Sequence, residues 1–449
     1  DSFDMSMRLR LHEGNGWAGY VLGAKGRLAQ WKKLDDYRDN SVRGDGLHAG
    51  LTTDGTLFIG KPGADSSVGG VDTDVPVDLE LTADRDGADY DLTIVAVEAE
   101  SGEEMGDVST SVKPAALTGA IKLMAHRARC SFEYWSISGD KVEAHPDRSF
   151  GPVMWSMYTL SEGTLKLTAQ MPPMGDEDGR RVRLQVKEDG EWETIQQAPI
   201  DELARTARFK IEDWDDSRDV PYRVAYTYIG AGGEEQEDTW SGTIRRDPKE
   251  RNSVKVAGFT GCADYAWPNA DLVKHVKAAD PDLLFFSGDN IYEQVNGFGV
   301  QRSPLDKACL DYLRKWYFFG WAFRDILKNR PSVIIPDDHD VYQGNIFGEA
   351  GKHAEGGWID GGYTMPAEWV NMIQRTQTSH LPDPVDPEPV KQGITVYFTS
   401  LNYGRISFAV FEDRKFKTGP EGILPDEYVD RADHVVVEDW NPEIADVDR

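Results

Sequence analysis

Cysteine is scarce in this chain of 449 residues, which has only Cys130, Cys262 and Cys309. Three thiols make at most one pair and leave one over, so a disulfide framework is excluded and the redox compartment stays open. Long apolar runs are missing as well, and no stretch approaches the ~18 apolar residues of a membrane-spanning helix. Basic charge is in deficit: 49 Lys and Arg face 78 Asp and Glu, a net charge of −29. Such a field repels nucleic acid and anionic membranes, and there is no long basic stretch to offset it. Both are therefore poor partners. The chain begins at Asp1 without a charged-then-apolar leader, which removal of a signal peptide and a boundary set elsewhere explain equally. What is present is ordinary globular composition, 39% hydrophobic and 10% aromatic. The length predicts about three domains.

Residues 1–145 read as a β-rich domain. The runs Phe3–Leu11, Asp78–Thr82 and Tyr90–Val97 alternate apolar with polar, and Gly- and Asp-rich turns separate them. With Cys130–Ser138 as a closing strand, the order fits a jelly roll and resembles a concanavalin-type or laminin-G-like module. The cluster His145-Pro-Asp-Arg148 breaks the pattern. Residues 150–247 then supply the alternating strands Thr164–Ala169, Arg181–Val186, Ala207–Ile211 and Tyr222–Tyr228. At about 100 residues this predicts an immunoglobulin or fibronectin-III-like sandwich, closed by the charged linker Arg245–Arg251. From Ser253 the rhythm becomes β-α-β-α-β: strands at 254–259, 282–287 and 332–336, with helices at about 269–279 and 304–329. That alternation predicts a parallel sheet in a third domain, residues 253–449. A Gly- and Pro-rich loop over 344–392 precedes two further strands, Ile394–Phe398 and Arg405–Phe411.

The chemistry sits at the strand ends. Gly288-Asp-Asn-Ile-Tyr-Glu293 follows one apolar run and Asp337-Asp-His-Asp340 follows another. In open α/β sheets the carboxyl ends of adjacent parallel strands converge on one crevice. Asp289 taken alone is an ordinary turn cap, and Tyr292 an ordinary packed aromatic. Spaced i, i+3 in one turn, both can face a single ion. Three carboxylates in the four residues 337–340 repel one another unless a cation or solvent relieves them. Cys262, just past the strand at 254–259, reads equally as a core thiol and as a thiolate ligand level with Asp289 and Asp338. Hard oxygens, a phenol and an imidazole together predict a metal site and hydrolysis.

Gly-Cys, Gly-Asp-x-x-Tyr and Asp-Asp-His-Asp in this order resemble the PhoD-like alkaline phosphatases of the calcineurin-like metallophosphoesterase superfamily. The resemblance covers about residues 150–449, and the β-module ahead of it is an addition. It implies an incomplete α/β metallophosphoesterase sandwich in an exported protein, secreted, periplasmic or on the cell surface. By the same resemblance Cys262, Asp289 and Tyr292 bind a ferric ion, and Asp289 bridges to a second, divalent ion, calcium. Asp338 takes the place of a metal-binding Asn, and His339 that of the histidine that contacts substrate and assists the leaving group. Glu412-Asp-Arg414 resembles the family's Asp-x-Arg, so Arg414 is expected on a phosphate oxygen. The family's last His-containing motif is missing before Arg449, so by the resemblance the remaining piece is either a separate C-terminal fragment acting as partner or has been lost. His353 and His380 are expected at the surface.

A rival reading makes the β-domains the functional part, binding glycan through Trp17, Trp31 and Trp135 or mediating surface assembly, with the hydrolase portion a relic. Tryptophans in sandwiches are more often core.

Overall fold

In the computed structural model, residues 2–25, 45–144, 150–175, 177–230, 233–261, 268–293, 300–342, 363, 365–412 and 415–416 are described. The structure is mostly β-sheet, and the chain divides into two compact units near residue 150.

The first unit is one antiparallel sheet built on an unusually long strand, β1 (Phe3–Lys25). β2 (Asp45–Thr52) pairs with its second half, β5 (Val77–Asp86) with its first half, and β8 (Ala120–Gly139) along its whole length. β3 (Leu57–Ile59) and β4 (Ser67–Val68) extend one arm, β6 (Asp89–Glu98) and β7 (Glu104–Val112) the other. The sequence predicted a strand of nine residues where 23 are continuous, because bulges let Gly14 and Gly16 pass within the strand. Alternation sends Met5, Met7, Leu9, Leu79, Leu81, Leu92 and Ile94 into one core. Trp17 is also core, packed edge-on to Phe58, so it offers no platform for a sugar. Trp135 is exposed, and Trp31 lies outside the described residues.

The second unit begins with seven strands in two sheets. β9 (Trp155–Ser161), β10 (Thr164–Gln170) and β13 (Thr206–Ile211) form one. β11 (Arg181–Glu188), β12 (Glu191–Pro199), β14 (Val220–Ile229) and β15 (Glu235–Ile244) form the other. Leu165, Leu167, Phe209, Val224 and Tyr226 fill the space between them.

The same unit continues into three parallel strands, β16 (Val256–Phe259), β17 (Leu283–Phe286) and β18 (Ser332–Ile334). Helix α1 (Ala270–Ala279) makes the first crossover and α2 (Leu305–Leu327) the second. Three- and four-residue spacing puts Tyr312, Trp316, Phe319, Phe323 and Ile326 of α2 on one buried face. Gly320 lets that helix close onto Trp155 of β9, where any Cβ would collide with the indole. Sandwich and α/β segment therefore share a core.

Two expectations were misplaced. The stretch read as loop contains helix α3 (Ala367–Thr378), whose Trp369, Val370, Met372 and Ile373 are buried. Prolines on either side masked it; Pro366 in fact caps its start. The strand expected at 394–398 forms later, as β19 (Phe398–Tyr403), because Gly404-Arg405 makes a tight hairpin to β20 (Ile406–Phe411). Both turn residues have positive φ, 59° and 64°, which suits the twist of paired strands.

Candidate metal centre

β17 and β18 are hydrogen-bonded neighbours in register, Phe286 opposite Ile334, so the residues after each strand emerge side by side. After β17 the chain turns sharply through Gly288 (φ 102°) and Asp289 (φ 51°). Left-handed backbone costs a non-glycine residue about 1 kcal/mol, so the surroundings must hold Asp289 in place. Gly288 has a second duty. A Cβ there would collide with the Cβ and backbone of Asp337, so glycine allows the two loops to touch.

Carboxylate oxygens of Asp289, Asp337 and Asp338 come within 4.8 Å of one another. Asp289 Oδ1 is buried without a hydrogen-bond partner, a costly state for a carboxylate. Burial, then the neighbouring Asp338, raise its pKa, while His339 and Tyr292 oppose the rise. The Tyr292 hydroxyl donates to Asp289 Oδ2 at 3.0 Å, and its ring lies 4.4 Å from the His339 ring. Burial and the adjacent Asp289 push the phenol's pKa up, so ionising it needs a strong local positive charge. A Cβ on Gly261, just past β16, would stand 3.1 Å from that hydroxyl, which brings the end of the third strand to the same place. Cys262, the next residue, lies outside the described residues, as do Arg414 and His353.

Asp289, Tyr292, Asp338 and His339 are thus together, as the strand-end argument expects. Three further residues of the same motifs, given no role of their own by the sequence, belong to the arrangement. Asp337 contributes the third clustered carboxylate. Glu293, 3% exposed, bonds His339 Nδ1 at 2.8 Å. Burial works against a charge on His339, but the Glu293 bond and charge, then Asp289 and Asp338, outweigh it and raise its pKa to about 9.

Asp340 is the third: of the three carboxylates in 337–340 that the sequence leaves to a cation or solvent to relieve, this one is relieved by hydrogen-bond donors instead. It is fully buried and turned inward. Its oxygens accept backbone N–H groups of Asn290 at 3.1 Å, Ile291 at 3.2 Å and Asp337 at 2.8 Å, and the Gln377 amide at 2.9 Å. Burial still pushes its pKa up to about 8. Asp340 therefore ties the two strand-end loops together. Sequence spacing cannot separate a carboxylate that faces a site from one that braces it, since both follow the same strand. His380 is a correction: expected at the surface, it is fully buried with Nε2 3.0 Å from the Ser332 carbonyl.

No family model matches the chain, and no curated protein matches it. The arrangement itself is a cluster of hard oxygen donors with an imidazole and a phenol at its margin. It could hold an oxophilic cation, whose charge would compensate three converging carboxylates and an orphaned buried oxygen.

Proposed function

We propose that the protein is a metal-dependent phosphoesterase. The observation that carries this reading is the convergence of Asp289, Asp337 and Asp338 at the carboxyl ends of parallel strands, with Asp289 Oδ1 buried and unpaired. The resemblance of Gly288–Tyr292 and Asp337–Asp340 to PhoD-like motifs supports the same chemistry. On this reading residues 253–449 are a metallophosphoesterase-like segment. Residues 150–247 are a fibronectin-III-like sandwich, in keeping with their three-plus-four strand arrangement.

Asp289, Asp338 and Tyr292 would hold the metal, with Asp337 beside them and Cys262 as a further ligand from the β16 loop. Because Tyr292 resists ionisation, a ferric ion suits it better than a divalent one, and calcium suits the carboxylates. Bound there, such ions polarise a phosphoryl oxygen and acidify water. The chain's own contribution is orientation and a proton. Glu293 fixes His339 through Nδ1, leaving the other ring nitrogen to serve a leaving oxygen. Tyr292, against the imidazole, keeps that ring from swinging. Asp340 holds both loops at the separation that this needs.

The test is hydrolysis of p-nitrophenyl phosphate and bis-p-nitrophenyl phosphate by full-length protein reconstituted with iron and calcium, with metal content measured in parallel. Turnover that disappears in Asp338→Asn together with bound metal is expected. A protein that takes up neither iron nor any divalent ion would overturn the reading.

A further inference from the structure

A second polar cleft lies against β10 and β13, built from features that the carboxylate cluster does not use. In this sheet Lys166 stands directly opposite Lys210 across the strand pair. Like charges in that relation destabilise a sheet. Arg208, two residues from Lys210, adds a third cation to the same face. Arg375 on α3 lines the cleft from the other side.

One carboxylate lines it. Asp383 is shared between Lys166 at 2.6 Å and Lys210 at 3.0 Å. Lys210 also reaches Glu212 at 3.1 Å, and Arg375 pairs with Asp201 at 3.0 Å. Four cations thus meet three carboxylates, and the guanidinium of Arg208 has no partner among the described residues. Burial, then Lys210 and Arg208, pull the pKa of Lys166 down although Asp383 opposes them. In a chain of net charge −29 this concentration of positive charge is out of character. The cavity is about 350 Å³. Pro382, Pro384 and Tyr397 give it an apolar wall beside the cations. A small site with convergent charge and one apolar side is how ligand pockets are built.

We propose that this cleft binds a small phosphate-bearing anion, its phosphate on Arg208 and Lys210 and its organic part against Tyr397 and Pro384. Arginine is suited to the phosphate because its planar donors match two oxygens at once. The cleft is separate from the carboxylate cluster. His380, next to the cleft residue Ser379, reaches Ser332 at the start of β18, whereas Asp337 and Asp338 follow that strand's other end. The proposal does not depend on the phosphoesterase reading.

Chelator-treated full-length protein is titrated calorimetrically with inorganic phosphate and with phenyl phosphate at low ionic strength. Saturable binding is expected, tighter for phenyl phosphate. The double variant Arg208→Gln, Lys210→Gln should weaken it about tenfold or more while its circular dichroism spectrum stays that of the folded protein. Asp338→Asn should leave it intact. Absence of saturation up to ~10 mM of either probe would overturn the proposal, since that is weaker than millimolar affinity. So would binding that survives the double variant, or that is lost only in Asp338→Asn.

Discussion

Asp289, Glu293 and His380 show how one residue's surroundings decide its chemistry. Asp289 has a buried oxygen with no partner, so its removal should cost a cation its anchor. Asp289→Asn is expected to weaken Ca²⁺ or Fe³⁺ uptake about a hundredfold, read by elemental analysis after dialysis, with the circular dichroism spectrum unchanged. Glu293 raises the pKa of His339 through a bond and a charge. In metal-free Glu293→Gln the imidazole pKa should fall from about 9 toward the ordinary histidine value, followed by NMR titration. A pKa that stays put would remove Glu293 from its orienting role. His380 is the opposite case. Burial pushes it down to about 3, so the folded state holds it neutral. As pH falls below ~6.5 the unfolded chain takes up this proton and the folded chain does not, so stability drops until the folded pKa is reached. Between pH 6 and pH 4 the wild type should lose about 1.4 kcal/mol per pH unit more than His380→Gln, measured by denaturant midpoints. Of these residues only Asp289 had a chemical role read from spacing, and that of His339 came from the family resemblance. The partnerships of Glu293 and His380 are long-range, and no local pattern encodes them.

At the scale of elements, two loops act as one because Asp340 and Gly288 join them. Gly288→Ala forces Asp337 away and keeps a positive φ that alanine resists. It should lower stability by about 1–3 kcal/mol and reduce metal uptake, measured by thermal melts with and without added cation. Melts that respond to cation as the wild type does would show that the loops need not touch. The strands at 283–286 and 332–334 were legible because buried parallel strands are continuous apolar runs, and the largely exposed strand at 256–259 was legible from the β-α-β-α-β rhythm it opens. Helix α3 was not: Gly and Pro around it resembled a loop, and its apolar face is satisfied only by residues far away in the chain. β19 slipped because its start is set by the Gly404-Arg405 turn rather than by its own composition.

Among the described residues, those of 1–149 form two hydrophobic clusters and the rest of the chain two more, both shared between the sandwich and the α/β segment. The sandwich of residues 150–247 had looked like a free-standing domain. Trp155 and Met157 of β9 are instead fully buried in the cluster that contains Trp316, Phe319 and Phe323 of α2. The Gln170 side chain accepts from the Trp316 indole at 3.1 Å and donates to the Ala204 carbonyl. Residues 150–252 expressed alone should therefore aggregate or bind a hydrophobic dye, whereas 150–449 should stay dispersed. Sedimentation and dye fluorescence decide this, and a monodisperse, dye-free fragment would show that the shared core is dispensable.

Local sequence settled the alternation that makes strands, the apolar runs that bury a parallel sheet, and the presence of carboxylates after two of them. These depend on neighbours two to four residues away, which the order of residues states directly. The folded chain alone decided which carboxylates face one another, that Asp340 braces rather than faces the cluster, and that Lys166 meets Lys210 across a strand pair. Each joins residues dozens of positions apart or depends on which way a side chain turns, and chain order alone fixes neither.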